Sequence, residues 1–207
     1  MTPLDKLITY FEKFPGIGAR QAKRFAFHIL TLRKEQVEEL SQLIVSLPQA
    51  VSECVTCHRF FSQTRANPSG QCSICDDATR DQGKLLVVAR DTDIQAIERS
   101  GIYDGLYFVL GGTISLLNPP EANAKLRTGA FRTLVEKRLE ENLNEMILAF
   151  AVNPDGENTT RYIQGVIRDI PGTEKLKVSE LGRGLSTGSE LEYADPETIK
   201  SALNNRS

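Results

Sequence analysis

Residues 54–75 read Cys54-Val55-Thr56-Cys57, fourteen further residues, then Cys72-Ser73-Ile74-Cys75, and they hold all four cysteines of the 207-residue chain. Two Cys-x-x-Cys knuckles at this separation supply the four thiolates of a tetrahedral zinc site, two sulfurs from each knuckle at roughly 2.3 Å from the ion. The segment between them includes Arg65-Ala66-Asn67-Pro68-Ser69-Gly70-Gln71. It is too polar and too rich in breakers to pack by itself, so a metal is expected to order it. Other chemistries use the same residues. Cys54 to His58 is the Cys-x-x-Cys-His pattern of haem attachment, which needs export and leaves Cys72 and Cys75 without a role. Disulfides or a dithiol pair need an oxidising or redox setting, whereas the opening Met1-Thr2-Pro3-Leu4-Asp5 carries no apolar signal segment. The expectation is one structural zinc per chain in a cytoplasmic protein. Four thiolate ligands leave no open coordination position for catalysis, so function is sought on either side.

Apolar content of 40% and charged content of 25% are those of a soluble globular protein. A chain of this length buries roughly 70% of its unfolded surface and holds one to two ordinary domains. No apolar run approaches the ~18 residues of a membrane span, so no membrane is expected as a partner. The net charge of −2 excludes an overall basic surface. Residues 1–34 nevertheless carry Lys6, Lys13, Arg20, Lys23, Arg24, Arg33 and Lys34 against Asp5 and Glu12. Any nucleic-acid contact should therefore be local to this end.

Upstream of the knuckles, Thr2-Pro3 is a cap followed by a first-turn proline, and Leu4, Leu7, Ile8 and Phe11 recur at helical spacing. Phe14-Pro15-Gly16-Ile17-Gly18 breaks that helix. A second starts at Ala19, with Ala22, Phe25, Ala26, Ile29 and Leu30 on one face and Arg20, Lys23, Arg24 and Phe27 on the other. His28 follows the apolar pattern and reads as a core or surface histidine. A third helix is predicted from about Glu35 to Leu47, with Pro48 marking its end. Helix, Pro-Gly-Ile-Gly turn, helix resembles a helix-hairpin-helix DNA-binding motif. Gly16 and Gly18 let backbone approach a ligand at the start of a helix, where the dipole favours a phosphate. Arg20, Lys23 and Arg24 lie one turn further on, placed to neutralise neighbouring phosphates without reading sequence. The alternative is an ordinary helical corner with a solvated basic face.

Downstream, Leu85–Ala89, Tyr107–Leu110, Met146–Val152 and Lys175–Val178 have strand character. Helical patterns run from about Thr92 to Ser100, Thr128 to Asn144 and Thr160 to Ile170. The alternation predicts an α/β fold, a mainly parallel sheet with helices on both faces. Its working edge is the crevice at the strands' carboxyl ends, here Ala89-Arg90-Asp91-Thr92-Asp93, Gly111-Gly112-Thr113 and the loop Asn153-Pro154-Asp155-Gly156-Glu157. This half resembles a Toprim domain, the metal-binding fold of topoisomerases and primases. The resemblance places a catalytic glutamate where this chain has Ala89, and an Asp-x-Asp where it has Ala-Val-Asn-Pro-Asp-Gly-Glu. Asp91, Asp93, Asp155 and Glu157 remain able to hold a weak cation or a partner, or to be merely solvated. The tail carries a Gly-rich loop from Leu181 to Gly188 that is not a phosphate loop, a short strand Glu190-Leu191-Glu192-Tyr193, and a last helix from Asp195-Pro196-Glu197 through Leu203.

Taken together the order is a helix-hairpin-helix domain (1–52), a four-cysteine zinc finger (53–77), a Toprim-like domain (78–174) and a C-terminal assembly segment with a strand and a helix (175–207). That order is similar to the bacterial RecR family of recombination mediators. Its most specific marks are Phe14–Gly18 with Arg24–His28, the two knuckles, Tyr107–Leu110, and Gly182–Leu185 with Glu190–Tyr193. The resemblance implies a non-catalytic, nucleoid-associated protein that forms a ring-like homotetramer able to encircle DNA. Such proteins work with RecO and RecF to help RecA displace single-strand-binding protein at gaps and breaks. It assigns DNA contacts to Arg20, Lys23 and Arg24 and the metal to Cys54, Cys57, Cys72 and Cys75, with Asp155 and Glu157 as the candidates for contact with RecO. Two other classes stay open on the residues alone: a metal-dependent phosphoryl-transfer enzyme of Toprim type acting on DNA, and a zinc-stapled interaction module without a nucleic-acid role.

Overall fold

The computed structural model describes residues 1–62, 69–115 and 126–182, together with Pro196 and residues 198–200. The chain divides into two compact units, Met1–Val51 and Ser52–Ser207.

The first unit is helical: α1 (Pro3–Glu12), α2 (Ala19–Ile29) and α3 (Lys34–Ala50). Thr2 caps α1 in a capping box. Its hydroxyl accepts from the Asp5 amide at 3.2 Å, while Asp5 accepts from the Thr2 amide at 2.8 Å. Phe11 packs edge-on against Phe14 and Phe25, with centroids 5.8 and 5.9 Å apart, which joins α1 to the turn and to α2. The apolar face expected on α2 is buried only at Ala22 and Ala26, and Phe25 and Leu30 are exposed. His28 is a surface residue, not a core one. Pro48 does not end α3, which continues to Ala50. Its missing N–H falls in the last turn, and the Val51 amide closes that turn on the Leu47 carbonyl.

The second unit opens with a two-stranded sheet, β1 (Val51–Glu53) and β2 (Phe60–Ser62), too short to show in the sequence pattern. A four-stranded sheet follows, of β3 (Asp81–Val88), β4 (Gly105–Val109), β5 (Glu145–Ala149) and β6 (Lys177–Glu180). They are all parallel, in the order β4-β3-β5-β6. The connections carry α4 (Asp91–Ser100), α5 (Thr128–Glu140) and α6 (Pro154–Arg168). Adjacent residues of β4 show that helices cover both faces. The Tyr107 hydroxyl donates to Glu98 of α4 at 2.6 Å, and Phe108, pointing the other way, stacks edge-on with Phe131 of α5 at 5.4 Å. Leu85–Val88 and all five residues of β4 are buried, which explains their unbroken apolar runs.

Further expectations need correction, beginning with the strand foreseen over Met146–Val152, which ends at Ala149. The helix foreseen from Thr128 to Asn144 stops at Glu140, because Asn142 takes a left-handed conformation (φ 80°) that turns the chain into β5. Asn153–Glu157 is not a strand-end loop. Asn153 is the N-cap of α6, its side chain accepting from the Gly156 amide at 2.8 Å, and Pro154 fills the first helical position. Of the expected last helix, Pro196 and residues 198–200 are helical. The Gly-rich loop from Arg183 and the strand at Glu190–Tyr193 lie outside the described residues, as do Arg65–Pro68 of the inter-knuckle segment.

Candidate functional site

The four cysteines converge. Their sulfurs all lie within 4.8 Å of one another, and the Cys57 and Cys72 sulfurs are 3.6 Å apart. A tetrahedron of thiolates at a metal–sulfur distance of ~2.3 Å has an edge of about 3.8 Å, so one ion fits the cluster. Each knuckle closes with the same bond: the His58 amide donates to the Cys54 carbonyl and the Asp76 amide to the Cys72 carbonyl, both at 3.0 Å. The Cys72 amide also donates to the Cys54 sulfur at 3.3 Å, tying one knuckle to the other. A hydrogen bond from Cys57 drives the Cys54 thiol far below its ordinary range, and the same bond pushes Cys57 up. Among the described residues this is the one group of three or more His, Cys, Asp or Glu placed to hold an ion. The cluster is therefore compatible with a bound metal.

The metal knuckle is docked on the parallel sheet. β4 is an edge strand, and its Val109 amide donates to the Cys57 carbonyl at 2.8 Å, which gives that amide a partner outside the sheet. His58, left-handed at φ 62°, packs edge-on against Phe108 at 5.4 Å and places its Nδ1 2.7 Å from Glu53. Arg127, just before α5, bonds the same Glu53 oxygen through Nε at 3.1 Å. His58 thus has a structural partner, and the haem-attachment pattern is answered by Cys54 and Cys57 converging with Cys72 and Cys75. The Glu53–His58–Arg127 connection went unseen in the sequence, where nothing marks residues so far apart as neighbours.

The four acids of the strand-end edge do not come together as a cation site. Asp91 Oδ1 accepts from the Phe60 amide at 2.7 Å, holding β2 to the start of α4. Asp93 accepts from the Arg90 amide at 2.8 Å, capping α4. Asp155 and Glu157 occupy the first turn of α6, where a carboxylate is favoured by the helix dipole, and Glu157 lies 3.7 Å from Arg161. Where the resemblance places a catalytic glutamate, Ala89 is buried after β3.

In the helical unit, Gly16 adopts φ 77°, open to glycine and strained for other residues, and Gly18 is the N-cap of α2. Neither glycine has another atom within 4 Å of where a Cβ would stand, so the backbone of the turn is accessible. Arg20, Lys23 and Arg24 are exposed on the first turns of α2.

Family profiles described as "RecR, helix-hairpin-helix", "Toprim domain" and "RecR, C-terminal" match residues 4–47, 83–181 and 184–207. Recombination protein RecR of Streptococcus thermophilus is 37% identical over 208 residues, spanning 99% of this chain and 96% of its own. The chain belongs to the RecR family. The RecR proteins of Lactococcus lactis subsp. lactis and Staphylococcus haemolyticus are 37% and 36% identical over 207 residues, with the same coverage. The helix-hairpin-helix match falls on α1 to α3, and the Toprim match on the parallel sheet from β3 to β6. The cysteines lie between the two matches. Among the described residues no helix is long and apolar enough to cross a membrane.

Proposed function

We propose that this RecR-family chain is a non-catalytic DNA-binding mediator of recombinational repair. It acts as a ring-like homotetrameric clamp with RecO and RecF to promote RecA loading at gaps and breaks, in the nucleoid. The carrying observation is an accessible turn at Gly16 and Gly18 opening a helix whose first turns expose Arg20, Lys23 and Arg24. Backbone amides at a helix start and cations one turn on are what a phosphate backbone needs, and they read no sequence. Single-stranded, double-stranded and gapped DNA are all within its reach.

The remaining parts take supporting roles. Zinc is the ion that four thiolates in a closed tetrahedral cluster favour, and it acts as a structural staple. The chain is parsed as hairpin (1–52), zinc finger (53–77), Toprim-like domain (78–174) and assembly segment (175–207), whose first strand, β6, completes the sheet. Leu43, Ile44 and Leu47 of α3 are each about 60% exposed, a surface suited to burial in an assembly. Asp91 and Asp93 hold structural bonds and Ala89 stands where the resemblance has a glutamate, which supports the non-catalytic reading; Asp155 and Glu157 are the candidates for contact with RecO. A ring retains DNA by topology, so few strong contacts per subunit suffice and an overall charge of −2 is no obstacle.

Replacing Arg20 and Lys23 together with alanine should weaken binding to every DNA sequence alike and flatten the salt dependence by about two units of slope. Fluorescence anisotropy over a salt series measures both. Unchanged affinity, or a change confined to one sequence, would sink the reading.

A further inference from the structure

The four cysteines are not equally placed. Cys54, Cys57 and Cys72 are wholly buried, whereas Cys75 is partly exposed. A polar cavity opens beside it, lined by Thr56, Gln71, Gln82, Lys137 and Arg138 among others, and Cys75 is the one cysteine in its wall. Its rim is built rather than incidental. Arg138 is 8% exposed and donates to Gln82 at 2.9 Å, and Gln71 donates to Thr56 at 3.0 Å. Cys75 is therefore the residue of the cluster that a small polar solute entering this cavity from solvent meets first.

We propose that Cys75 is a modification site, the entry point through which peroxides and small thiol-directed electrophiles reach the metal cluster. The inference rests on the zinc reading given above. With a peroxide, the Cys75 sulfur attacks one oxygen, the O–O bond breaks, and hydroxide leaves. Sulfur is oxidised by two electrons to the sulfenic acid and the peroxide is reduced by two. A second cysteine thiolate of the cluster, all of whose sulfurs lie within 4.8 Å, then attacks the sulfenic sulfur. An S–S bond forms and a second hydroxide leaves. Two thiolates and one peroxide thus yield one disulfide and, with two protons, two waters. The disulfide would leave two thiolates of the four that hold an ion, so a bound metal would be lost. The Cys57 segment then loses the metal that holds it on the Val109 edge of the sheet.

The test uses the native full-length protein after its metal content has been measured. Sub-stoichiometric N-ethylmaleimide followed by peptide mass mapping should label Cys75 at least tenfold faster than Cys54, Cys57 or Cys72. Hydrogen peroxide with a chromogenic zinc indicator should release metal in step with loss of the free Cys75 thiol. Metal-loaded protein labelled first at another cysteine overturns the proposal, as does labelling of all four together, which would mean that the knuckle opens as a whole. Protein that purifies without metal overturns the zinc reading, and with it the release step.

Discussion

The helical unit and the parallel sheet spend their apolar residues in opposite ways. In residues 1–51 only Ala22 and Ala26 are fully buried, while Tyr10, Phe14, Phe27 and Leu30 are more than half exposed, as are Leu43, Ile44, Val45 and Leu47. In the sheet, by contrast, Leu85–Val88 and every residue of β4 are sealed, with Phe108 and Phe131 at 0% exposure between strand and helix. A small helical unit that buries two alanines has little core of its own to offset its chain entropy. Its large side chains are half-buried, as Leu7, Ile8 and Phe11 are, or exposed. The sheet unit has a large core, which the buried Cys54, Cys57, Cys72 and Ile74 of the knuckle join, and the knuckle hydrogen-bonds the β4 edge at Val109. Substitutions in the first unit should thus be felt in binding and assembly, and substitutions in the second in folding.

Loss of the metal is the largest expected blow to that contrast. Binding of a structural zinc is worth on the order of 10 kcal/mol in apparent terms. Cys72→Ser should lower yield and assembly first, with DNA binding lost only as a result. In hydrogen exchange the protection of β4 should fall while that of α1 and α2 is unchanged. A well-folded Cys72→Ser protein of native size that fails in DNA binding alone would show that the knuckle itself touches DNA.

Next comes the core. Phe131→Ala removes a ring packed on Phe108 and should cost about 3–5 kcal/mol, measured by denaturant titration. The glycines test the comparison directly. At Gly156 a Cβ would clash with the backbone carbonyl of Ala151, which cannot swing aside, so Gly156→Ala should cost about 3 kcal/mol. At Gly16 a Cβ meets open space and only the positive φ is penalised, so Gly16→Ala should cost about 1 kcal/mol. Equal costs at the two sites would break the distinction between framework and surface unit.

The smallest effect is electrostatic. Burial by itself would raise the Glu98 carboxyl, but hydrogen bonds from Arg80 and Tyr107 outweigh it and hold it below the ordinary glutamate range. A carboxyl lowered on folding contributes stability that is present above its unfolded pKa and is lost as pH falls through the folded one. Acid melts of the native protein should therefore steepen below about pH 4, the unfolded glutamate value. Glu98→Gln should start less stable and lose less over that interval.

The elements legible in the sequence are those whose signal is local. The knuckle spacing, the Thr2-Pro3 cap and the apolar runs of β3 and β4 each depend on residues a few positions apart, and each appears where it was expected. Asn153-Pro154 carries an equally local signal, a cap followed by a first-turn proline, but its place directly after a strand makes the same residues read as a strand-end loop. Pro48 misled in the other direction, since a proline in a final turn forfeits one hydrogen bond and leaves the helix intact.

What the sequence by itself determined is the inventory: four thiolates in two knuckles, a basic start to α2, and alternating strands and helices that must form a parallel sheet. Such features follow from covalent spacing and from the periods of helix and strand. Only the tertiary structure decided that the Cys57 carbonyl accepts from Val109 at the β4 edge, that Asp91 anchors Phe60, and that Cys75 lies in the wall of a polar cavity. The physical reason is that these contacts join residues tens of positions apart. Their partners are chosen by which backbone groups and side chains the packed sheet leaves in need of one, and no local pattern encodes that choice.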